Sequence, residues 1–175
     1  MLIMNADRRL RIVRGCLLIV VAGLVVSGVT AFPLVAETRL LAAVLHDLPA
    51  PGGLVAWVDR VHAGLAATGE AYPFIAYGTD WLAFAHLVIA VAFWGPLRDP
   101  VRNVWVVQFG VIACAAVVPL ALVAGPVRGI PFGWQLIDIS FGVLGVVPLL
   151  VALRHIRVLE RAQAAAWASG VTAEA

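Results

Sequence analysis

Four stretches of this chain, residues 12–34, 80–97, 103–124 and 132–153, are apolar runs of the length that crosses a bilayer. A helix rising about 1.5 Å per residue needs about 20 mostly apolar residues to cover about 30 Å of hydrocarbon. The first run carries Cys16, Ser27 and Thr30 as its polar side chains beyond Arg14 near its start. The second contains His86, the third Gln108, and the fourth Gln135, Asp138 and Ser140. No single water-surrounded core can absorb this much apolar surface: 63% of the residues are hydrophobic and 13% charged, against about 45–50% and about 25% in soluble domains. The chain is therefore expected to fold as an all-α, four-helix transmembrane bundle, a single integral membrane domain over residues 1–175. Arg8, Arg9, Arg11 and Arg14 precede the first run in the manner of a signal peptide. Its length exceeds the roughly 7–15 residues of a signal core and no A-x-A site follows it, so a retained span is expected.

The distribution of Arg orients the spans, because short cytoplasmic loops hold the excess of positive charge. All 12 basic residues are Arg, and the net charge of +2 is too small and too dispersed for nucleic-acid binding. With both termini cytoplasmic, nine lie inside (Arg8, Arg9, Arg11, Arg14, Arg98, Arg102, Arg154, Arg157 and Arg161) and three outside (Arg39, Arg60 and Arg128). The expected location is the cytoplasmic membrane of a bacterium. The first loop, residues 35–79, is then extracytoplasmic, with Glu37, Asp47, Asp59 and Glu70 against two Arg. Within it, after the Pro49–Gly53 turn signal, Leu54, Val58, Val61 and Leu65 recur at helical spacing beside Trp57. A short amphipathic helix on the outer surface, anchored by Trp57, is expected there. The Ala-rich tail beyond Arg161 is expected to fray.

Ionisable groups inside a span are costly and need a partner or an aqueous cavity. With the second span starting at Asp80, His86 lies about 9 Å deep, and Asp138 reaches a similar depth in the fourth span. Glu37, Tyr77, Thr79, Asp80, Arg128 and Gln135 ring the layer above, with Trp81 and Trp134 as aromatic walls, while the inner half offers little beyond Gln108. Polar groups gathered in one leaflet suit an outward-opening pocket. A His beside a carboxylate can exchange protons near neutral pH, and the same two residues serve equally as interhelical glue; the sequence leaves both roles open. Asp59, His62, His46 and Glu37 form a weaker metal candidate, explained as well by solvated surface residues. No metal or cofactor is expected. Cys16 and Cys114 stand in no redox or metal motif. Gly23, Ser27, Gly110, Cys114, Gly142 and Gly145 are small residues at the spacing of close helix packing, and Pro119 is placed to kink the third span. No polar stripe crosses both leaflets as a channel requires, and no inverted repeat marks a transporter.

The segments Gly28–Pro33, Tyr72–His86 and Ile130–Gly142 resemble a family of small four-span bacterial membrane proteins. The likeness extends to about Glu160 and implies the topology without supplying a substrate. A second resemblance is to the EXPERA group, which includes emopamil-binding sterol isomerases and sigma-2-type receptors. Asp80 followed by Trp94-Gly95-Pro96-Leu97, and Pro131 through Trp134 and Pro148 to Arg154-His155, are similar to that group's second and last spans. The resemblance implies an apolar-ligand pocket lined by acids at the positions of Glu37 and Asp80. Where those proteins carry an intramembrane Glu, this chain has Leu87 beside His86.

The function expected is binding of an apolar lipid or isoprenoid in an outer-leaflet pocket, with isomerase-like proton transfer as its catalytic extension. In that extension His86 shuttles the proton, Asp138 balances its charge, and Glu37, Asp80, Gln135 and Arg128 orient the ligand between Trp81 and Trp134. The alternative is a structural or interaction protein whose partner is another membrane protein or a second copy of the chain. The topology has a direct test: a reporter inserted within residues 35–79 is expected outside the membrane and one at residues 98–103 inside. The reverse result removes the basis for an outer-leaflet pocket.

Overall fold

The computed structural model describes residues 2–171, all of whose regular elements are helices. In chain order they are α1 (Leu2–Thr30), α2 (Leu34–Asp47), α3 (Gly52–Ala71), α4 (Pro73–Ala92), α5 (Trp94–Arg98), α6 (Val104–Val127) and α7 (Phe132–Val171). Four segments are long and apolar enough to cross a membrane: Ala6–Thr30, Pro73–Arg98, Val104–Val127 and Phe132–Ala168. The chain is thus an all-α, multi-pass membrane protein.

Proline and glycine set the boundaries. Pro33 follows α1, Pro49 and Pro51 separate α2 from α3, Pro73 is the first residue of α4, and Pro131 immediately precedes α7. Each lacks an N–H, which costs nothing at a helix start because the first-turn amides have no intrahelical acceptor. The end of α6 is a Schellman motif: Gly129 takes φ +67°, its amide donates to the Pro126 carbonyl, and the Ile130 amide donates to Gly125. Pro119 and Pro148 lie inside α6 and α7, which continue through them.

The chain divides into two compact units, Gly23–Ile89 and the remainder. The second of these holds the first part of α1 together with α5, α6 and α7. Its core joins Val13 and Leu17 of α1, Phe93, Val107 of α6, and Leu149 and Ile156 of α7. Helices α6 and α7 meet at small residues. A Cβ on Gly142 would sit 2.6 Å from the Cys114 carbonyl oxygen, one on Gly145 3.1 Å from the Cys114 sulfur, and one on Gly110 3.0 Å from Leu149. The small-residue spacing in the sequence therefore marks real backbone approach in α6 and α7, whereas a Cβ on Gly23 meets nothing within 4 Å. Polar contacts in this unit gather among the arginines. The Arg14 guanidinium donates to the Leu97 carbonyl, and Arg9 donates to His155 Nδ1 at 3.1 Å, which requires a neutral imidazole protonated on Nε2. Asn103 donates to the carbonyls of Gly95 and Asp99, closing the α5–α6 turn.

In the Gly23–Ile89 unit, α1 and α4 approach at Gly28, where a Cβ would lie 2.9 Å from both the Ala83 carbonyl oxygen and Leu87. The segment read from sequence as a loop with one short surface helix is a hairpin of two helices, α2 and α3, packed through Ala42 and Val58. Leu34–Asp47 is rich in Leu and Ala, good helix formers, and packing on α3 stabilises a segment whose sequence carries no strong start signal. The Trp57 indole nitrogen is buried without an acceptor among the described residues, so this side chain sits inward on α3 instead of anchoring its outer surface. Two further boundaries differ from expectation. Helix α4 begins at Pro73, seven residues before Asp80, and its polar stretch stays helical with the Thr79 hydroxyl donated to the Ala76 carbonyl. Helix α7 runs on to Val171, since the Ala-rich segment expected to fray has high intrinsic helix propensity.

Gly142→Ala is expected to destabilise the protein by about 1–3 kcal/mol through overpacking, seen as a lower melting temperature in detergent. Gly133→Ala, where a Cβ meets nothing within 4 Å, should melt at or above the parent. Equal melting of all three proteins would exclude the close α6–α7 approach.

Candidate functional site

A groove of about 410 Å³ opens within the Gly23–Ile89 unit. Phe32 and Pro33 of the α1–α2 turn form one end, followed by Leu34, Val35 and Ala36 in the first turn of α2 and Arg39 one turn later. Leu65, Thr68 and Gly69 face it from α3, and Ile75, Ala76 and Thr79 from α4. The α3 and α4 sets follow helical spacing, three or four residues apart, so one face of each of these two helices contributes. The groove is half open, its walls are apolar except for Arg39, Thr68 and Thr79, and its volume falls in the range of small-ligand sites. The Thr79 hydroxyl is already donated to Ala76 at 2.6 Å.

The residues singled out from sequence stand elsewhere. In this unit, Glu37 and Asp80 are half-buried neighbours of groove residues but do not line it. Trp81 is 57% exposed and packs edge-on between Tyr77 and Phe84, with ring centroids 6.0 and 6.2 Å away. This aromatic ladder has the amphipathic character of a membrane-interface belt. His86 lies thirteen residues, about 20 Å, along α4 from its first residue Pro73. His86 Nδ1 lies 2.8 Å from the Leu82 carbonyl and donates to it, leaving Nε2 as the available nitrogen.

The other unit holds Arg128, Trp134, Gln135 and Asp138. Gln135 is 4% exposed, donates from Nε2 to the Ile130 carbonyl at 2.8 Å, and covers Gly125, where a Cβ would lie 2.5 Å from its side chain. Its amide clasps the α6–α7 turn through this one N–H. Arg128 caps α6 through its backbone and is exposed; Trp134 is half-buried. Asp138 is half-buried, with no hydrogen-bond or ion-pair partner among the described residues of its own unit.

The residues weighed as metal ligands are occupied with each other. His46 Nε2 pairs with the Asp59 carboxylate at 3.1 and 3.2 Å. Thr38 donates to the Leu34 carbonyl, so His62 Nδ1 is the donor in its 3.2 Å contact with the Thr38 hydroxyl. These contacts staple α2 to α3, and among the described residues no three His, Cys, Asp or Glu side chains are placed to share a metal ion. Arg39 and Thr68 had no sequence signal as site residues, because their convergence depends on α2 being a helix.

Comparison with protein families, with curated proteins and with solved structures gives no match for this chain.

A double-mutant cycle on His46→Ala and Asp59→Ala should return a coupling of about 0.2–1 kcal/mol that fades in high salt, as for other exposed pairs. A zero coupling at low salt would show that the pair does not staple the hairpin.

Proposed function

We propose that this protein binds the hydrocarbon part of a lipid or isoprenoid in the groove between α2, α3 and α4. It would do so as a resident of the bacterial cytoplasmic membrane, with both termini inside and the groove on the outer side. The observation that carries the reading is the groove itself: about 410 Å³, walled by Phe32, Leu34, Leu65 and Ile75, in a chain with four membrane-spanning helices. Ligand sites of this size are mostly apolar with a few polar groups that fix orientation. The EXPERA resemblance implies the same ligand class, while its acids Glu37 and Asp80 adjoin this groove without lining it. A proton-transfer extension rests on His86, two helical turns beyond Thr79 on the same face of α4. Its imidazolium would donate a proton to one alkene carbon, and the imidazole would take one back from the carbon next to the resulting cation, moving the double bond without net proton change.

A second reading, a membrane protein that recruits a partner or a second copy of itself, draws on α7. Its residues 161–168 are exposed, Trp167 at 79%, a surface that suits helix–helix association.

The test uses geranylgeraniol as a neutral apolar probe and protein in zwitterionic nanodiscs. Gly69 lines the groove and a Cβ there meets nothing within 4 Å, so Gly69→Phe fills the space without a clash at the backbone. The parent is expected to bind the prenol and the variant to lose at least about tenfold in affinity, or about 1.4 kcal/mol, with melting temperature unchanged. Undiminished binding by Gly69→Phe would overturn the groove reading, and loss of self-association on truncating α7 before Arg161 would favour the second.

A further inference from the structure

We infer that the groove selects an amphiphile with an oxyanion head, such as a prenyl phosphate, and that Arg39 is the seat of that head group. The inference rests on the proposed lipid-binding reading and adds the charge of the ligand to it.

Arg39 is the one charged side chain lining the groove. Among the described residues its guanidinium has neither a hydrogen-bond nor an ion-pair partner; the ion pair of this unit joins His46 to Asp59. Three carboxylates stand close in sequence to groove residues: Glu37 on α2, Glu70 after Gly69, and Asp80 after Thr79. None reaches ion-pair distance of Arg39 and none lines the groove. Arg39 is exposed, so its guanidinium stands open at the groove to an anion that arrives with the ligand.

The donor inventory makes the same selection. Arg39 offers five N–H groups in a planar fork, and the Thr68 hydroxyl has no partner among the described residues. Thr79 has spent its proton on Ala76. The polar part of the groove is therefore rich in donors and holds no carboxylate, so it suits a head group made of acceptors. A prenol hydroxyl would satisfy one or two of these donors, whereas a phosphate presents several oxygens to the fork and pairs with it bidentately. The first turn of α2, which has no side-chain cap and carries Glu37 outside the groove lining, forms part of the same wall. Phe32, Leu34, Leu65 and Ile75 then take the hydrocarbon chain.

The experiment compares three probes, geranylgeranyl phosphate, geranylgeraniol and inorganic phosphate, by titration against the full chain in zwitterionic nanodiscs. The parent is expected to bind the prenyl phosphate at least about tenfold more tightly than the prenol, the scale of a hydrogen bond to a charged group. Arg39→Gln should bring the two within about twofold by weakening the phosphate alone, and Arg39→Lys should keep part of the preference. Arg60→Gln, an exposed position on α3 outside the groove, should leave it unchanged. Equal affinity of the parent for both prenyl probes, or a preference that survives in Arg39→Gln, overturns the inference while the groove reading stands. Inorganic phosphate competing as strongly as the prenyl phosphate shows a site for a free anion and overturns it as well. Failure of both prenyl probes to bind removes the lipid-binding reading and this inference together.

Discussion

In hydrocarbon there is no water to satisfy a free amide or carbonyl, so the backbone must close its own hydrogen bonds, and helices are the way a single segment does so. Everything else in this protein is arranged around that requirement. Helices α1, α4, α6 and α7 carry the apolar runs, and the chain departs from helix where proline has already removed a donor or glycine permits an unusual φ. Pro73 and Pro131 stand at helix starts, and Gly129 turns the chain so that the Gly125 and Pro126 carbonyls receive the Ile130 and Gly129 amides.

Once the backbone is satisfied, apolar side chains gain little by leaving lipid for each other, and close packing takes over as the source of specificity. Gly142 against the Cys114 carbonyl and Gly28 against that of Ala83 are the points where helices come closest. Each would be lost to a single methyl group. The polar residues follow a matching economy. His46, Asp59, Thr38 and His62 staple the α2–α3 hairpin, Gln135 clasps the α6–α7 turn, and Arg9 donates to His155. Groups consumed in this way are poor candidates for ligand contact. Arg39 and Thr68 are the polar groove residues left unspent, and the proposals are built on them.

The spans were legible because their signal is compositional: a run of about 20 apolar residues has few alternatives to a membrane helix. Helix α2 was not, since Leu34–Asp47 mixes Glu37, Thr38 and Arg39 with apolar residues and becomes helical with α3 beside it. The starting point of α4 was obscured by Gly78, Thr79 and Asp80, which read as loop residues, yet Thr79 folds its hydroxyl back onto its own helix. Gln135 shows the general difficulty: a polar residue inside a span signals that it needs a partner, without saying whether that partner is a ligand or a nearby carbonyl.

The sequence by itself determined the solvent, the helical class and the four spans, because these depend on the sum of side-chain transfer energies along continuous segments. It also marked Gly110, Cys114, Gly142 and Gly145 as packing residues. Only the tertiary structure decided which polar side chains are spent and which remain available. That decision depends on which faces of α2, α3 and α4 converge, a relation between segments distant in the chain that no local pattern contains.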